Sequence, residues 1–146
     1  MGDYDIEFDD GKLMIKDLKT QYMQIYNGKY GGGGIMLNPL GLINDGLMEL
    51  VFYKEMITTQ EAVKLFLTPG GCMFYNHMFR CFKCSKIKLI NKQKTADGQM
   101  IEQDINIDGE DLTFKKFAKY EVLKEQLEII VDFKYLFDSA YDPALF

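Results

Sequence analysis

What this chain lacks narrows it quickly. It has one histidine and three cysteines in 146 residues, and no stretch approaches the roughly 18 consecutive apolar residues that a spanning helix needs. The N-terminus, MGDYDIEFDDGK, is acidic, without the basic-then-apolar order of a signal peptide, and it lacks the Ser or Thr of a myristoylation signal. An odd cysteine count fits a reducing compartment better than a disulfide framework. These absences predict a cytoplasmic protein whose membrane contact, if any, is peripheral. Basic excess is missing too: 17 Lys and Arg face 22 Asp and Glu, a net charge of -5. A reader of phosphate backbones depends on clustered cations, so nucleic acid is not an expected partner.

Nucleophile chemistry is equally bare. His77 has the residue type for a general base, yet no Ser or Cys with an orienting carboxylate can be set beside it. Cys81-Phe82-Lys83-Cys84 has the spacing of a zinc half-site, but tetrahedral zinc requires two more ligands, and only Cys72 and His77 are on offer. Two cysteines pointing to the same or opposite faces of a strand is the simpler account. The run of four glycines at 31–34 is not a Walker loop, because Ile35-Met36-Leu37 follows where Gly-Lys-Ser/Thr and a helix should stand. Close backbone packing explains it as well.

What is present is one domain's length with 47% hydrophobic and 14% aromatic residues, enough for a core and too ordered in composition for a disordered chain. The patterning is mostly β. Ile6-Glu7-Phe8 and Leu13-Met14-Ile15 flank an Asp-Gly turn signal, which predicts a hairpin. Residues 22–26, 47–53, 86–90 and 127–133 alternate or run apolar in the manner of strands. Thr58 or Thr59, followed by Glu61, predicts a capping box and a short helix that Pro69-Gly70-Gly71 would end. The expected architecture is a single β-sandwich over 1–146, antiparallel strands with one or two short helices. The abundant Met and Phe suit a core, and would equally suit an acyl channel.

Taken in order, the glycine run, Asn38-Pro39, Asn44-Asp45-Gly46-Leu47-Met48-Glu49-Leu50, the helix near Glu61 and Asp108-Gly109-Glu110 resemble the C-terminal lobe of the diacylglycerol, sphingosine and ceramide kinase family. The resemblance runs from about Ile6 to Phe133. It implies an ATP-dependent lipid kinase whose substrate is a lipid hydroxyl, with magnesium held by the Asp45 carboxylate and the carbonyls of Leu42 and Leu47. It implies that Glu110 accepts the hydroxyl proton at the nucleotide cleft, with Asp108 and Gly109 shaping its turn. Oxygen donors of that kind suit magnesium, and a positioned carboxylate suits phosphoryl transfer. Asp45 as a simple turn former and Glu110 at a solvated hairpin tip are the plain alternatives. The family's GGDGT-type loop and catalytic aspartate, which belong to its N-terminal nucleotide lobe, have no match here. The chain alone is therefore expected to be inactive, and a non-catalytic lipid- or protein-binding β-sandwich is the competing reading. Asn38 and Leu40 also depart from the small residues usual around the family's proline.

Overall fold

A computed structural model describes residues 2–30, 38, 40–53, 58–61, 63, 79–124 and 126. Among them the chain is mostly β, as the patterning predicts. Strand β1 (Gly2–Phe8) alternates Tyr4, Ile6 and Phe8 with Asp3, Asp5 and Glu7, and turns through a 3-10 segment, Asp9–Gly11, into β2 (Leu13–Thr20). The first predicted hairpin is thus present. Its register slips between Tyr4 and Ile6, so that Lys16 and Asp17 together oppose Asp5. Asp17 takes a left-handed φ of 55° there and its amide donates to the Asp5 carboxylate at 2.8 Å, the geometry of a β-bulge.

Strand β3 (Met23–Tyr26) leads to β4 (Met48–Tyr53), which pairs in turn with β5 (Phe79–Cys84). A single residue, Ser85, then carries the chain into β6 (Lys86–Asn91) of the other sheet. Strands β7 (Gln103–Ile107) and β8 (Glu110–Phe114) form a separate ribbon, and β9 (Phe117–Glu121) returns to pair with β6. The result is a four-stranded sheet β2-β1-β6-β9, a three-stranded sheet β3-β4-β5 and the β7-β8 ribbon, all antiparallel.

The two larger sheets meet through one apolar layer. Ile6, Phe8, Leu18, Ile87 and Leu89 come from the first, and Met48, Leu50, Phe52 and Cys84 from the second. Phe82 is the shared aromatic: its ring lies 5.2 Å from that of Phe8 and 5.9 Å, stacked, from that of Phe52. Each large side chain removed from water here contributes about 1.5–3 kcal/mol. On β1 and β6 the opposite positions carry charge, and Glu7 and Lys88, directly opposed across the strands, form an ion pair at 3.2 Å. Strand β4 differs, because all six of its residues are buried. One face, Met48, Leu50 and Phe52, enters the core, so Glu49, Val51 and Tyr53 must be buried on the other.

The short helix starts where the capping box places it. The Thr58 hydroxyl accepts from the Glu61 amide at 3.2 Å, and the Glu61 carboxylate accepts from the Thr58 amide at 2.8 Å. The strand expected at 127–133, the stop at 69–71, the glycines 31–34 with Ile35, Met36 and Leu37, and Pro39, Cys72 and His77 all lie outside the described residues.

Candidate functional site

The first candidate site grows from a turn. Gly46 has φ 70°, a conformation open to glycine, and a Cβ there would strike the Lys124 side chain. This lets the chain fold so that the Leu47 amide donates to Asp45 Oδ1 at 2.9 Å. Asp45 Oδ2 faces β5 and accepts from Lys83 Nζ at 2.6 Å. Lys83 stands opposite Glu49 in the β4–β5 register, and its ammonium also lies 3.2 Å from Glu49 Oε1. Asn38 completes the group. Its Nδ2 donates to Glu49 Oε2 at 2.9 Å and to the Gly28 carbonyl at 3.1 Å, while its backbone bonds to Lys29 and Gly41. A Cβ on Gly41 would strike both the Gly28 carbonyl and the Asn38 amide, so close approach requires glycine there.

Glu49 and Asn38 are fully buried, which sets the electrostatics. Burial pushes the Glu49 carboxyl above the ordinary glutamate value, and the Lys83 and Asn38 contacts only partly oppose it. Burial acts the same way on Asp45, but there the Lys83 hydrogen bond, the Leu47 amide and the Lys83 charge outweigh it, so the net shift is downward. For Lys83, burial works against the charge and the two carboxylates more than offset it, leaving the ammonium harder to deprotonate than usual. The sum is two carboxylates and one ammonium, held between a turn and two strands.

This arrangement bears on the magnesium expected at Asp45. Both carboxylate oxygens already have donors, one an amide and the other a cation. Leu42 is exposed and Leu47 presents its amide to Asp45. The donor set around Asp45 fits an ammonium ion, and a metal ion would have to displace Lys83 to use Oδ2. Among the described residues no group of three or more His, Cys, Asp or Glu side chains could hold a metal. Glu49 and Lys83 were not singled out by sequence reasoning. The available signal was a glutamate inside the otherwise apolar run LMELVFY, since a charge in a fully buried strand has to be paired.

The second candidate lies elsewhere. Asp108 (φ 51°) and Gly109 (φ 98°) are both left-handed, the requirement of a two-residue type I′ turn. Asn106 secures it, accepting from the Gly109 amide at 3.0 Å and donating to Asp111 at 2.8 Å. Glu110 follows, exposed and paired across the ribbon with Ile107. Alternation sets Glu110 on the same ribbon face as Ile105, Ile107, Leu112 and Phe114, with Asp104, Asn106, Asp111 and Thr113 on the other. The ribbon is fixed at its base by buried Asn91, whose Nδ2 donates to the carbonyls of Ile101 at 2.6 Å and Lys115 at 2.7 Å.

No described hydrogen bond or ion pair connects Asp45 with Asp108, Gly109 or Glu110. The Asp45 turn sits at the Lys86 end of β6, beside Lys124, while the ribbon is anchored at the Asn91 end. The five residues of β9 run between those ends, on the order of 15 Å at a strand's rise. The base of the ribbon and the Asp45 turn thus lie toward opposite ends of β6 and β9.

Cys81 and Cys84, three apart on β5, take opposite faces, Cys84 inward to the core. Burial pushes their thiols up to about 11 and about 12, which disfavours the thiolate that zinc requires.

No protein-family model matches the chain, and no curated protein matches it. Among solved structures it is similar to a crystal structure of a diacylglycerol kinase from Bacillus anthracis str. Sterne, at 15% sequence identity and a TM-score of 0.54. The match covers 83% of this chain and 40% of that one, so the chain spans well under half that enzyme's length. The likeness is one of fold: the β-sandwich described here is similar to part of a lipid kinase. Among the described residues no helix is long and apolar enough to cross a membrane.

Proposed function

We propose that this chain is the C-terminal, lipid-binding lobe of an ATP-dependent lipid kinase, acting on the hydroxyl of a diacylglycerol, a sphingoid base or a ceramide. The observation that carries the reading is the shared fold over 83% of the chain, together with an Asp108-Gly109-Glu110 turn that holds an exposed carboxylate at the tip of an anchored ribbon. Glu110 would accept the proton of the attacking hydroxyl, a role that asks for position more than for unusual basicity. Its apolar neighbours Ile107 and Leu112, 40% and 49% exposed, would face the acyl portion of the substrate or the membrane surface.

A nucleotide-binding lobe, from another segment or another chain, would supply the ATP site. Magnesium would come with the nucleotide, where it neutralises the charge on the transferring phosphoryl group. A cytoplasmic location with peripheral membrane contact suits such an enzyme. The test joins this chain to a nucleotide lobe and follows phosphate transfer from ATP to a panel of lipids. Glu110→Gln should lower kcat by about 10²-fold or more while leaving lipid binding intact. Unchanged turnover in that variant would remove Glu110 from the mechanism.

A second reading, a non-catalytic lipid- or protein-binding module, draws on the same apolar ribbon face and on the Asp45 carboxylate already neutralised by Lys83. It predicts vesicle binding without ATP binding, which isothermal titration with MgATP and liposome sedimentation distinguish.

A further inference from the structure

We infer that the Lys83 ammonium serves as this domain's own resident cation, cross-linking the Asp45 turn to strands β4 and β5 in place of a bound divalent metal ion. The inference stands apart from the proposed activity, since it concerns what holds the domain together.

Three observations carry it. First, the ammonium sits where two carboxylates from different segments converge, 2.6 Å from Asp45 Oδ2 and 3.2 Å from Glu49 Oε1. The ammonium is a compact point charge on a flexible stem, able to reach both carboxylates at once. Second, the register fixes the lysine's origin. Lys83 is directly opposite Glu49, so the stem lies alongside the carboxylate it neutralises, and β5 cannot slip without turning Lys83 to the core face. Third, one of the oxygens it meets has no other donor among the described residues. Glu49 Oε1 and Asn38 Oδ1 are buried without a hydrogen-bond partner among the described residues, so Glu49 Oε1 relies on the ion contact with Lys83.

The charge count gives the consequence. With Lys83 present the group carries one net negative charge. Without it, the Asp45 and Glu49 carboxylates that converge on the ammonium lose their shared cation, and carboxylate oxygens are the hard donors that a divalent cation takes. A lysine-to-neutral change should therefore convert a metal-independent site into a metal-dependent one.

The experiment uses the whole 146-residue chain and reads thermal melting in EDTA and in millimolar magnesium or calcium, alongside amide NMR with substoichiometric manganese. The wild-type chain should melt at the same temperature in all three buffers and show no selective broadening at residues 45–49. Lys83→Met should melt lower by about 4 °C or more in EDTA, recover part of that loss with the divalent ion, and show manganese broadening at residues 45–49. Stabilisation of the wild type by magnesium, with broadening at 45–49, would overturn the inference, and this arm decides it even if the variant does not fold. A Lys83→Met chain that melts like the wild type and ignores divalent ions would overturn it equally.

Discussion

Asp9 reaches across the chain to hold the corner at Ser85. One oxygen of its carboxylate accepts from the Ser85 amide at 2.9 Å, the Ser85 hydroxyl at 2.8 Å and the Lys86 amide at 3.0 Å. Ser85 is the lone residue between a strand of one sheet and a strand of the other, so this contact fixes where the sandwich folds over. Asp9 itself sits at φ 44°, a left-handed position that aspartate tolerates better than most residues.

Asp9→Ala should destabilise the domain by about 1–3 kcal/mol, the scale of losing several charge-assisted hydrogen bonds at a partly buried site. The Ser85 hydroxyl is the main reason the Asp9 carboxyl lies below its ordinary value, with the Lys86 and Ser85 amides adding to it against burial. A lowered acid stabilises the fold above its unfolded value, and that contribution is lost as pH falls through the folded value. Chemical denaturation as a function of pH should show a steeper acid limb for the wild type than for Asp9→Asn.

Glu49 should have the opposite sign. Its folded carboxyl is raised, mainly by burial, so the folded state binds a proton more tightly than the unfolded chain. Stability should decline as pH climbs from the ordinary glutamate range, about 4.3, through the raised value. Glu49→Gln should flatten that decline. At neutral pH it should cost about 1 kcal/mol, because Lys83 keeps Asp45 as a partner at 2.6 Å and no buried charge is left unpaired.

Asn91→Ala should loosen the β7–β8 ribbon before the sheets. Two carbonyls lose their donor, those of Ile101 and Lys115, and the Gln93 amide loses its acceptor. We expect a loss of about 2–4 kcal/mol. Hydrogen exchange should quicken first at residues 103–114.

Gly109→Ala tests the turn separately from the carboxylate beside it. A Cβ at Gly109 meets no atom within 4 Å, so the cost is conformational alone, about 1 kcal/mol at a φ of 98°. Chemical-shift changes should stay within residues 106–111, and melting should fall by a few degrees at most.

Much of the fold was legible in the sequence because it depends on local pattern. Alternation in β1 and β6, the apolar run of β4, the Asp-Gly turns and the Thr58–Glu61 capping box are each specified within a few residues. The ribbon turn at Asp108-Gly109 was legible for the same reason. The partners of each strand were not, since nothing local tells Tyr4 that it lies beside Asn91. Strand β9, with Phe117, Lys119 and Glu121 exposed, has too weak an apolar face to stand out. The Lys83 contacts were illegible for a related reason: a lysine beside two cysteines reads as an ordinary polar position until the register sets it opposite Glu49.

That distant pairing has a consequence for a nascent chain. Strand β1 is made before its neighbour β6, with Ile6 and Phe8 ready to enter a core, and β6 follows only after β4 and β5. At roughly 5–20 residues per second, the first hairpin waits several seconds with one edge open. Its row of Asp3, Asp5 and Glu7, beside Lys16 and Lys19, provides the charge that discourages strangers from pairing there first.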